Sequence, residues 1–361
     1  MKYHVYIGTY TRPAPYLANS KGEGLYVAEF DGDAGTLHLV QTVRGIENPS
    51  YLCVAPDGRA VHAVWEVLGW DMGLVSSYAR DTSTGRLTFL GLQASGGALA
   101  CYVTMDSRGR TALVANYLSG TVAALPVRSD GRLAEASSVV QQQGTGPVAG
   151  RQDGPHAHCI VVAPGDLLAF SADLGADTIF GYTLDAASAR LEQRTQLRLP
   201  PGSGPRHLVF HPSGIYAYVV SELSSTMTAL SFDRNAGSLG IIESYPMLPS
   251  DFVGESHCAD VHAHPNGRFL YGSNRGHDSI TAFEVDPSSG RLTLIGHFPS
   301  GGRTPRNFAI DPTGRHLLVA NQDSDTIVIF PIHENGGLGE PVATCEVPTP
   351  NCLKFAPTPT V

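Results

Sequence analysis

The chain has 361 residues and a formal net charge of −9, and only 16% of its residues are charged. This acidic balance, without any run of Lys or Arg, excludes the strongly basic surface that nucleic-acid binding requires. The first residues lead directly into a β-like segment, and no stretch has the character of a signal peptide or a membrane span. We therefore expect a cytoplasmic protein that binds neither nucleic acid nor membrane.

Turn-forming residues and cysteines narrow the class further. The chain has 40 glycines and 25 prolines, which favours a fold with many tight turns. Its six cysteines form no Cys-x-x-Cys pair and no cluster, so we expect buried free thiols.

A repeat of about 50 residues runs through the chain. Each copy has an apolar strand, a turn containing glycine, and a second apolar strand that ends in a polar residue. The turn glycines are Gly58, Gly109, Gly165, Gly214, Gly267 and Gly314. The strands after these turns are Val61–Glu66, Leu113–Tyr117, Leu168–Asp173, Ala217–Glu222, Leu270–Arg275 and Leu318–Gln322. This period, together with β-rich segments and turn glycines, is typical of propeller blades.

A seventh copy is divided between the two ends of the chain. Cys352–Pro357 reads as the first strand of a repeat and Val5–Tyr10 as the second. Pairing them would close the ring and leave no long sheet edge free. The sequence therefore predicts an all-β, seven-bladed β-propeller formed by residues 1–361 as one domain, with 357–361 as a frayed tail.

Antiparallel geometry separates two faces of the predicted propeller. If each blade has four strands, the turns between strands one and two and between strands three and four lie on one face, and we expect these to be short. The other connections lie on the opposite face, and four of them are long. They are Thr11–Gly22, Glu66–Ser76, Gln141–Gly154 and Pro246–Ser256. Long loops on one face indicate a binding face.

The strand ends that open onto this face carry polar or ionisable residues in most copies. At the starts of the first strands these are Tyr51, Tyr102, His158, His207, Asp260 and Asn307, with Arg206 and Arg306 one position earlier in two copies. At the ends of the second strands they are Glu66, Tyr117, Asp173, Glu222, Arg275 and Gln322. Converging histidines, arginines and carboxylates predict a site for a small anionic or polyhydroxylated ligand.

Several of these segments form motifs. They are Gly154–His158, Gly204–His207, Val220–Leu223, Ser273–Ile280, Pro305–Gly314 and Val319–Gln322. Together they resemble the seven-bladed propeller lactonase family, which includes bacterial propeller-type 6-phosphogluconolactonases and a fungal carboxy-cis,cis-muconate lactonizing enzyme. The resemblance implies that His158, Arg206, Glu222 and Arg275 are the catalytic residues. One departure is Asp260, where family members tend to carry glutamate.

Lactone hydrolysis needs a base for water and positive groups for the oxyanion and for an anionic substrate. His158 and Glu222 are both suitable bases, and the sequence leaves the choice open. Arg206 and Arg275 are expected to hold the anionic group and the oxyanion. Further residues expected to contact the substrate are His156, His207, Asp260, His262, Arg306, Asn307 and Gln322.

No cofactor or metal is expected. Possible ligands are His156, His158, His257, Asp260, His262 and His264, but the chain has no His-Glu-x-x-His motif, no cluster of Asp and Asn typical of a metal site and no pair of thiolates. Glycine pairs such as Gly96–Gly97 lack the strand and helix context of a nucleotide-binding loop.

We expect a lactone hydrolase whose partner is a small anionic sugar lactone. The resemblance implies 6-phosphogluconolactone, in the pentose phosphate pathway. One alternative is a lactonizing, cycloisomerase-type enzyme that would bind carboxylates at the same cationic mouth. Another is a non-catalytic propeller that presents its long-loop face to a protein or a sugar. The sequence leaves the oligomeric state open.

Overall fold

The computed structural model describes residues 1–357, which form seven four-stranded antiparallel sheets arranged as the blades of a propeller. The first strands in the chain are β1 (Lys2–Thr9), β2 (Leu25–Asp31), β3 (Thr36–Val43), β4 (Leu52–Val54), β5 (Ala60–Trp65), β6 (Leu74–Arg80), β7 (Leu87–Ala94), β8 (Ala100–Met105), β9 (Thr111–Asn116), β10 (Thr121–Pro126) and β11 (Ser138–Gln141). The middle strands are β12 (Ala157–Val162), β13 (Leu168–Asp173), β14 (Thr178–Asp185), β15 (Arg190–Arg198), β16 (Pro205–Phe210), β17 (Tyr216–Ser221), β18 (Thr226–Asp233) and β19 (Ser238–Pro246). The last are β20 (His257–Ala263), β21 (Phe269–Arg275), β22 (Ser279–Val285), β23 (Leu292–Pro299), β24 (Pro305–Ile310), β25 (His316–Asn321), β26 (Thr326–Pro331), β27 (Ala343–Glu346) and β28 (Pro350–Phe355), with a 3₁₀ turn at Gln322–Ser324.

Blade 1 closes the ring with strands from both ends of the chain. β28 pairs with β1 in antiparallel register, with Val5 opposite Phe355 and Gly8 opposite Cys352. Blades 2 to 7 follow in chain order, from β4–β7 in blade 2 to β24–β27 in blade 7. The predicted closure is therefore confirmed. The frayed tail predicted for 357–361 falls on residues outside the described part of the chain, apart from position 357.

The segment before β28 also holds the first long loop, residues 10–24. Thr349 accepts a hydrogen bond at its carbonyl from the Tyr10 amide (3.2 Å). Its hydroxyl accepts one from the Lys21 amide (2.9 Å) and donates one to the Asn19 side chain (2.6 Å). The segment just before β28 thus fixes this loop near its start and near its end.

The turn glycines adopt the conformation that their sequence context predicts. Between the first two strands of blades 2 to 7, φ lies between +65° at Gly109 and +102° at Gly165. Because a side chain is strained in this left-handed region, glycine permits the tight return that keeps each pair of strands in register.

Loop lengths confirm one expectation and correct another. The four long connections on the binding face are present as residues 10–24, 66–73, 142–156 and 247–256. The second is shorter than the predicted Glu66–Ser76, because β6 begins at Leu74. The expectation of short turns throughout the other face is wrong. Residues 127–137 and 332–342 are long there, because each folds into a small hairpin closed by a bridge, Val127 with Leu133 and Ile332 with Leu338.

Neighbouring blades are joined by buried side chains that reach the turn of the next blade. The Tyr6 hydroxyl donates to the Gly85 carbonyl (2.8 Å), Tyr218 to Gly290 (3.0 Å) and Tyr271 to Gly336 (2.9 Å). All three tyrosines are completely buried. Each hydroxyl is thereby satisfied inside an apolar contact, which fixes the blades relative to one another.

Two further expectations concern the state of the cysteines and the presence of a membrane span. All six cysteines are free thiols, as predicted, and four of them are buried, but Cys53 and Cys345 are partly exposed, so the expected burial is wrong for these two. Residues 1–357 contain no helix long and apolar enough to cross a lipid bilayer.

Candidate active site

A cavity of about 380 Å³ opens on the face that carries the long loops. It collects residues from the strand ends of several blades and from two long loops. Its lining residues are Tyr16, Glu66, Leu99, Cys101, Tyr117, Arg151, His158, Glu222, His257, Arg275 and Arg306. A small hollow directly beneath it is lined by Arg206, His207 and Asn307 as well.

On one side of the cavity, the Glu222 carboxylate binds three arginines. Its Oε2 accepts hydrogen bonds from Arg206 Nε (3.1 Å) and Arg275 Nη2 (2.8 Å), and its Oε1 accepts one from Arg151 Nη2. Glu222 follows β17, where its amide donates to the Gly204 carbonyl (2.7 Å). Burial alone would raise the pKa of Glu222, but the guanidinium groups, Arg275 foremost, hold it well below its usual value. We call these four residues the Glu222 cluster.

Two of the three arginines of the Glu222 cluster are themselves fixed by the backbone of blade 6. Arg206 Nη1 donates to the Ala259 carbonyl, and Arg275 Nη2 also donates to the Cys258 carbonyl (3.1 Å). Burial lowers the pKa of Arg275 to about 10, which leaves it charged at neutral pH. Three cations share one carboxylate, so the cluster has capacity for a further anion.

A second carboxylate, Glu66, lies in the same cavity with different partners. Its Oε1 accepts hydrogen bonds from the hydroxyls of Tyr10 (3.0 Å) and Tyr16 (3.2 Å). The backbone of Glu66 is held by Asn48, whose carbonyl accepts the Glu66 amide (3.0 Å) and whose side chain donates to the Glu66 carbonyl (3.0 Å). Burial raises the pKa of both tyrosines, so both hydroxyls remain protonated donors.

Arg306 lies beside this second carboxylate. Its guanidinium carbon is 5.5 Å from the centre of the Tyr10 ring, in a cation–π contact. Within residues 1–357, Arg306 forms no ion pair and no side-chain hydrogen bond, although the charge of Glu66 acts on it. We call Glu66, Tyr10, Tyr16 and Arg306 the Glu66 cluster.

His158 lies at the bottom of the cavity. Its ring makes edge contacts with the rings of Tyr117 (5.2 Å) and His207 (5.5 Å). Burial, assisted by the charge of Arg206, lowers the pKa of His158 well below its usual value, so the imidazole is neutral at pH 7. Burial also raises the pKa of the adjacent Cys101 thiol well above its usual value, which makes it a poor nucleophile.

A polar layer lies below the cavity and contains several of the residues predicted to contact substrate. His207 Nδ1 is 2.7 Å from Asp260 Oδ1, and His262 Nε2 is 2.9 Å from Asp260 Oδ2. Asn307 donates to the same Asp260 carboxylate and accepts the Leu353 amide (2.7 Å). Asp260 and His262 line a separate cavity of about 180 Å³ at the other end of the channel.

This layer supports the Glu222 cluster from beneath. His207 Nε2 lies 3.2 Å from Arg206 Nη1, so the Asp260–His207 pair fixes the orientation of that guanidinium. Burial and the charge of Arg206 lower the pKa of His207 to about 3, so its ring is neutral. Burial would raise the pKa of Asp260, but its histidine partners, His262 first, hold it well below its usual value.

The structure thus brings together the four residues predicted to be catalytic. His158, Glu222 and Arg275 line the cavity, and Arg206 reaches Glu222 from directly below. Among the predicted substrate contacts, Arg306 lines the cavity, whereas His207, Asn307, Asp260 and His262 lie beneath it.

Two further predicted contacts lie outside the cavity. His156 stacks behind Tyr117, with ring centres 4.5 Å apart, and its Nδ1 is 3.0 Å from the Tyr117 carbonyl. Gln322 is buried and donates to Asp323 (2.9 Å). Within residues 1–357, no three His, Cys, Asp or Glu side chains are grouped to hold a metal ion.

Sequence reasoning did not single out Arg151 or Tyr10. A signal for Tyr10 was present, since it ends the second strand of the divided seventh copy and so has the position equivalent to Glu66 and Glu222. Arg151 lies in the long segment 141–154 that was predicted on the binding face, but no repeat position marks it.

The family of the chain follows from comparison with known proteins. A family model described as "Lactonase, 7-bladed beta-propeller" matches residues 4–355. The chain belongs to this family of seven-bladed propeller lactonases. The resemblance noted from the sequence motifs is therefore confirmed.

Two curated members of the propeller lactonase family are named 6-phosphogluconolactonase. The protein from Bacillus subtilis (strain 168) is 35% identical over 355 residues, which are 98% of each chain. The protein from Formosa agariphila is 35% identical over 331 residues, which are 90% of this chain and 91% of its own. A solved structure, a periplasmic gluconolactonase from Pseudomonas aeruginosa, is 34% identical with a TM-score of 0.89, covering 99% of this chain and 100% of its own.

Proposed function

We propose that this propeller lactonase hydrolyses 6-phosphogluconolactone to 6-phosphogluconate, a step of the pentose phosphate pathway. One observation carries the choice of an anionic lactone. Among the described residues that line the cavity and the hollow beneath it, the four guanidinium groups of Arg151, Arg206, Arg275 and Arg306 face two carboxylates, a surplus of two positive charges. In a chain of net charge −9, such a local surplus indicates a site for an anion.

The Glu222 cluster is the part of the cavity suited to a phosphate group. Arginine forks match the geometry of phosphate oxygens, and Arg151 and Arg275 both face the open volume. Glu222 holds the guanidinium groups in place before substrate arrives, so little side-chain entropy is lost on binding. The neutral His158 beside them is available to hydrogen-bond the sugar, and a cavity of about 380 Å³ is adequate for a small ligand.

The names of the relatives support the same substrate for this chain and raise one rival. The two curated relatives are named for the phosphorylated lactone, whereas the Pseudomonas relative is named as a periplasmic gluconolactonase. We propose the phosphorylated lactone, and with it a place in the cytoplasm where sugar phosphates are retained, because an unphosphorylated lactone would leave the surplus charge unmatched.

Initial rates on three substrates test this proposal. In a lightly buffered solution, proton release is followed for 6-phosphogluconolactone and gluconolactone, and proton uptake is followed for a carboxy-muconate, because its cyclisation consumes a proton. The uncatalysed rate is subtracted in each case. We expect kcat/KM to be highest for the phosphorylated lactone. A higher kcat/KM for gluconolactone would favour the unphosphorylated rival, and turnover of the carboxy-muconate alone would favour a lactonizing enzyme. The absence of any turnover would favour a binding protein.

A further inference from the structure

We propose that Glu66 is the general base of the hydrolysis and that Arg306 binds the oxyanion, so that the reacting carbonyl is bound at the Glu66 cluster. This inference rests on the proposed lactone hydrolysis. It adds a base different from His158 and Glu222, and it separates the place of the reaction from the place where the phosphate is bound.

The partners of the two carboxylates decide which is the better base. A proton on Glu222 would disrupt ion pairs with three arginines. From the described residues, Glu66 accepts two side-chain hydrogen bonds, both phenolic and both at Oε1. Its Oε2 makes no hydrogen bond with residues 1–357, which leaves a lone pair for a water molecule in the cavity.

His158 is less suited to accept the proton. A proton taken by its imidazole would create a cation next to Arg206 in a buried position, and both effects oppose it. A proton taken by Glu66 instead removes a charge. Tyr10 and Tyr16 also hold the Glu66 carboxylate in one orientation, which a base needs in order to reach the attacking water.

Arg306 has the properties of an oxyanion-binding group. It is the cavity arginine without a protein acceptor among residues 1–357, and its stacking on Tyr10 places it next to the base. When Glu66 accepts a proton, its negative charge disappears as one forms on the carbonyl oxygen. The Arg306 guanidinium therefore faces one negative charge before and after the step, which requires little reorganisation of the site.

Hydrolysis of the lactone adds one water molecule across the ring ester bond in two steps. One O–H bond of water breaks and its proton passes to Glu66, while the water oxygen bonds to the lactone carbonyl carbon and the C=O electron pair moves to the oxygen facing Arg306. The C=O bond then re-forms and the ring C–O bond breaks. The proton on Glu66 passes to the departing ring oxygen, which becomes a hydroxyl group, and the product acid ionises in water.

The two clusters lie on opposite sides of the same cavity. Glu66 follows β5 of blade 2 and Glu222 follows β17 of blade 5, three blades away, which is the largest separation in blade order that seven blades allow. A substrate with its reacting carbonyl at one end and its phosphate at the other would extend across the cavity from one cluster to the other. Binding and chemistry should therefore respond to different substitutions.

The test compares Glu66→Gln and Arg306→Met with wild type, using 6-phosphogluconolactone. The matched control is Glu47→Gln, an exposed carboxylate whose partner is Arg12. We expect E66Q to lower kcat by about 10²- to 10⁴-fold and R306M by about 10²- to 10³-fold. KM should change little, because the phosphate is held elsewhere.

Several outcomes would overturn the inference. A folded E66Q protein with kcat within about 3-fold of wild type, or with only KM raised, would show that Glu66 is not the base. If E66Q does not fold, Glu66→Asp is measured in its place. We expect kcat to fall by about 10-fold or more, because the side chain is shorter by one methylene group and its carboxylate lies farther from the attacking water. Wild-type protein without activity on any lactone would overturn the proposed function itself, which is a separate failure.

Discussion

The two clusters contain the same functional group in opposite surroundings. Glu222 is surrounded by three arginines, whereas Glu66 is held by two tyrosine hydroxyls, and the arginine near it, Arg306, has no ion-pair partner in the described part of the chain. Both carboxylates come from equivalent positions in the repeat, directly after the second strand of a blade. A position at the channel mouth therefore does not determine the chemical role of a carboxylate. Its role depends on the side chains that bind it, and these come from loops and from neighbouring blades.

The largest effect is expected when the carboxylate of the Glu222 cluster is removed. Glu222→Gln leaves three cations in contact without their common anion, so we expect a loss of about 3–5 kcal/mol in the free energy of unfolding. Urea denaturation measures this loss. Inorganic phosphate should stabilise E222Q more than it stabilises E47Q, because the anion takes the place of the carboxylate. A loss below about 1 kcal/mol would contradict a structural role for these ion pairs.

Arg151 provides a more selective test of where the phosphate is bound. It is only partly buried, and its ion pair is confined to the Glu222 cluster. We expect Arg151→Met to raise KM for 6-phosphogluconolactone by about 10-fold or more, equivalent to one charge-assisted hydrogen bond. KM for gluconolactone should be unchanged. An equal rise for both lactones would mean that Arg151 contacts the sugar instead of the phosphate.

The pH dependence of stability tests the layer that supports Arg206. The folded protein keeps His207 neutral down to a pKa of about 3, whereas an unfolded histidine binds a proton near pH 6.5. The unfolded state therefore holds more protons in this window, and stability should fall as pH is lowered below about 6.5, by about 1 kcal/mol per pH unit from this residue. His207→Gln should flatten the slope measured by thermal denaturation between pH 6.5 and 5. An unchanged slope would contradict the assignment.

The smallest expected effect concerns a hydroxyl of the Glu66 cluster. Tyr16→Phe removes one of the two hydrogen bonds to Glu66 Oε1 while keeping the ring. We expect kcat to fall by about 3- to 10-fold with KM unchanged, which corresponds to one ordinary hydrogen bond. Tyr3→Phe, in the first strand and remote from the cavity, is the matched control. A rise in KM without a change in kcat would place Tyr16 in binding.

The fold could be predicted because its signals are local and repeated. Turn glycines such as Gly314, and the match of Val5–Tyr10 with Cys352–Pro357, follow from backbone geometry that every blade shares. The convergence of His158 and Glu222 could also be predicted, because strand ends on one face of a propeller approach the channel whatever their sequence.

The pairing of side chains could not be predicted in the same way. Arg151 reaches Glu222 from an irregular loop whose path follows no repeat. His156 and His158 are two residues apart, yet a break in strand register near Ala157 turns only His158 into the cavity while His156 stacks outside it. The sequence placed Glu66 in the ring of strand ends, but its environment depends on Tyr16, which belongs to another such loop.

The hydrogen bonds of Thr349 have a consequence for folding. This residue holds the loop that carries Tyr10 and Tyr16, and the strand that follows it completes blade 1. A chain in which β28 has not yet paired lacks the contacts of Thr349 with this loop. The tyrosines that orient the proposed base Glu66 are then not held in place, although most cavity residues are already present. Catalytic competence should therefore appear only after β28 has paired with β1 and the ring is closed.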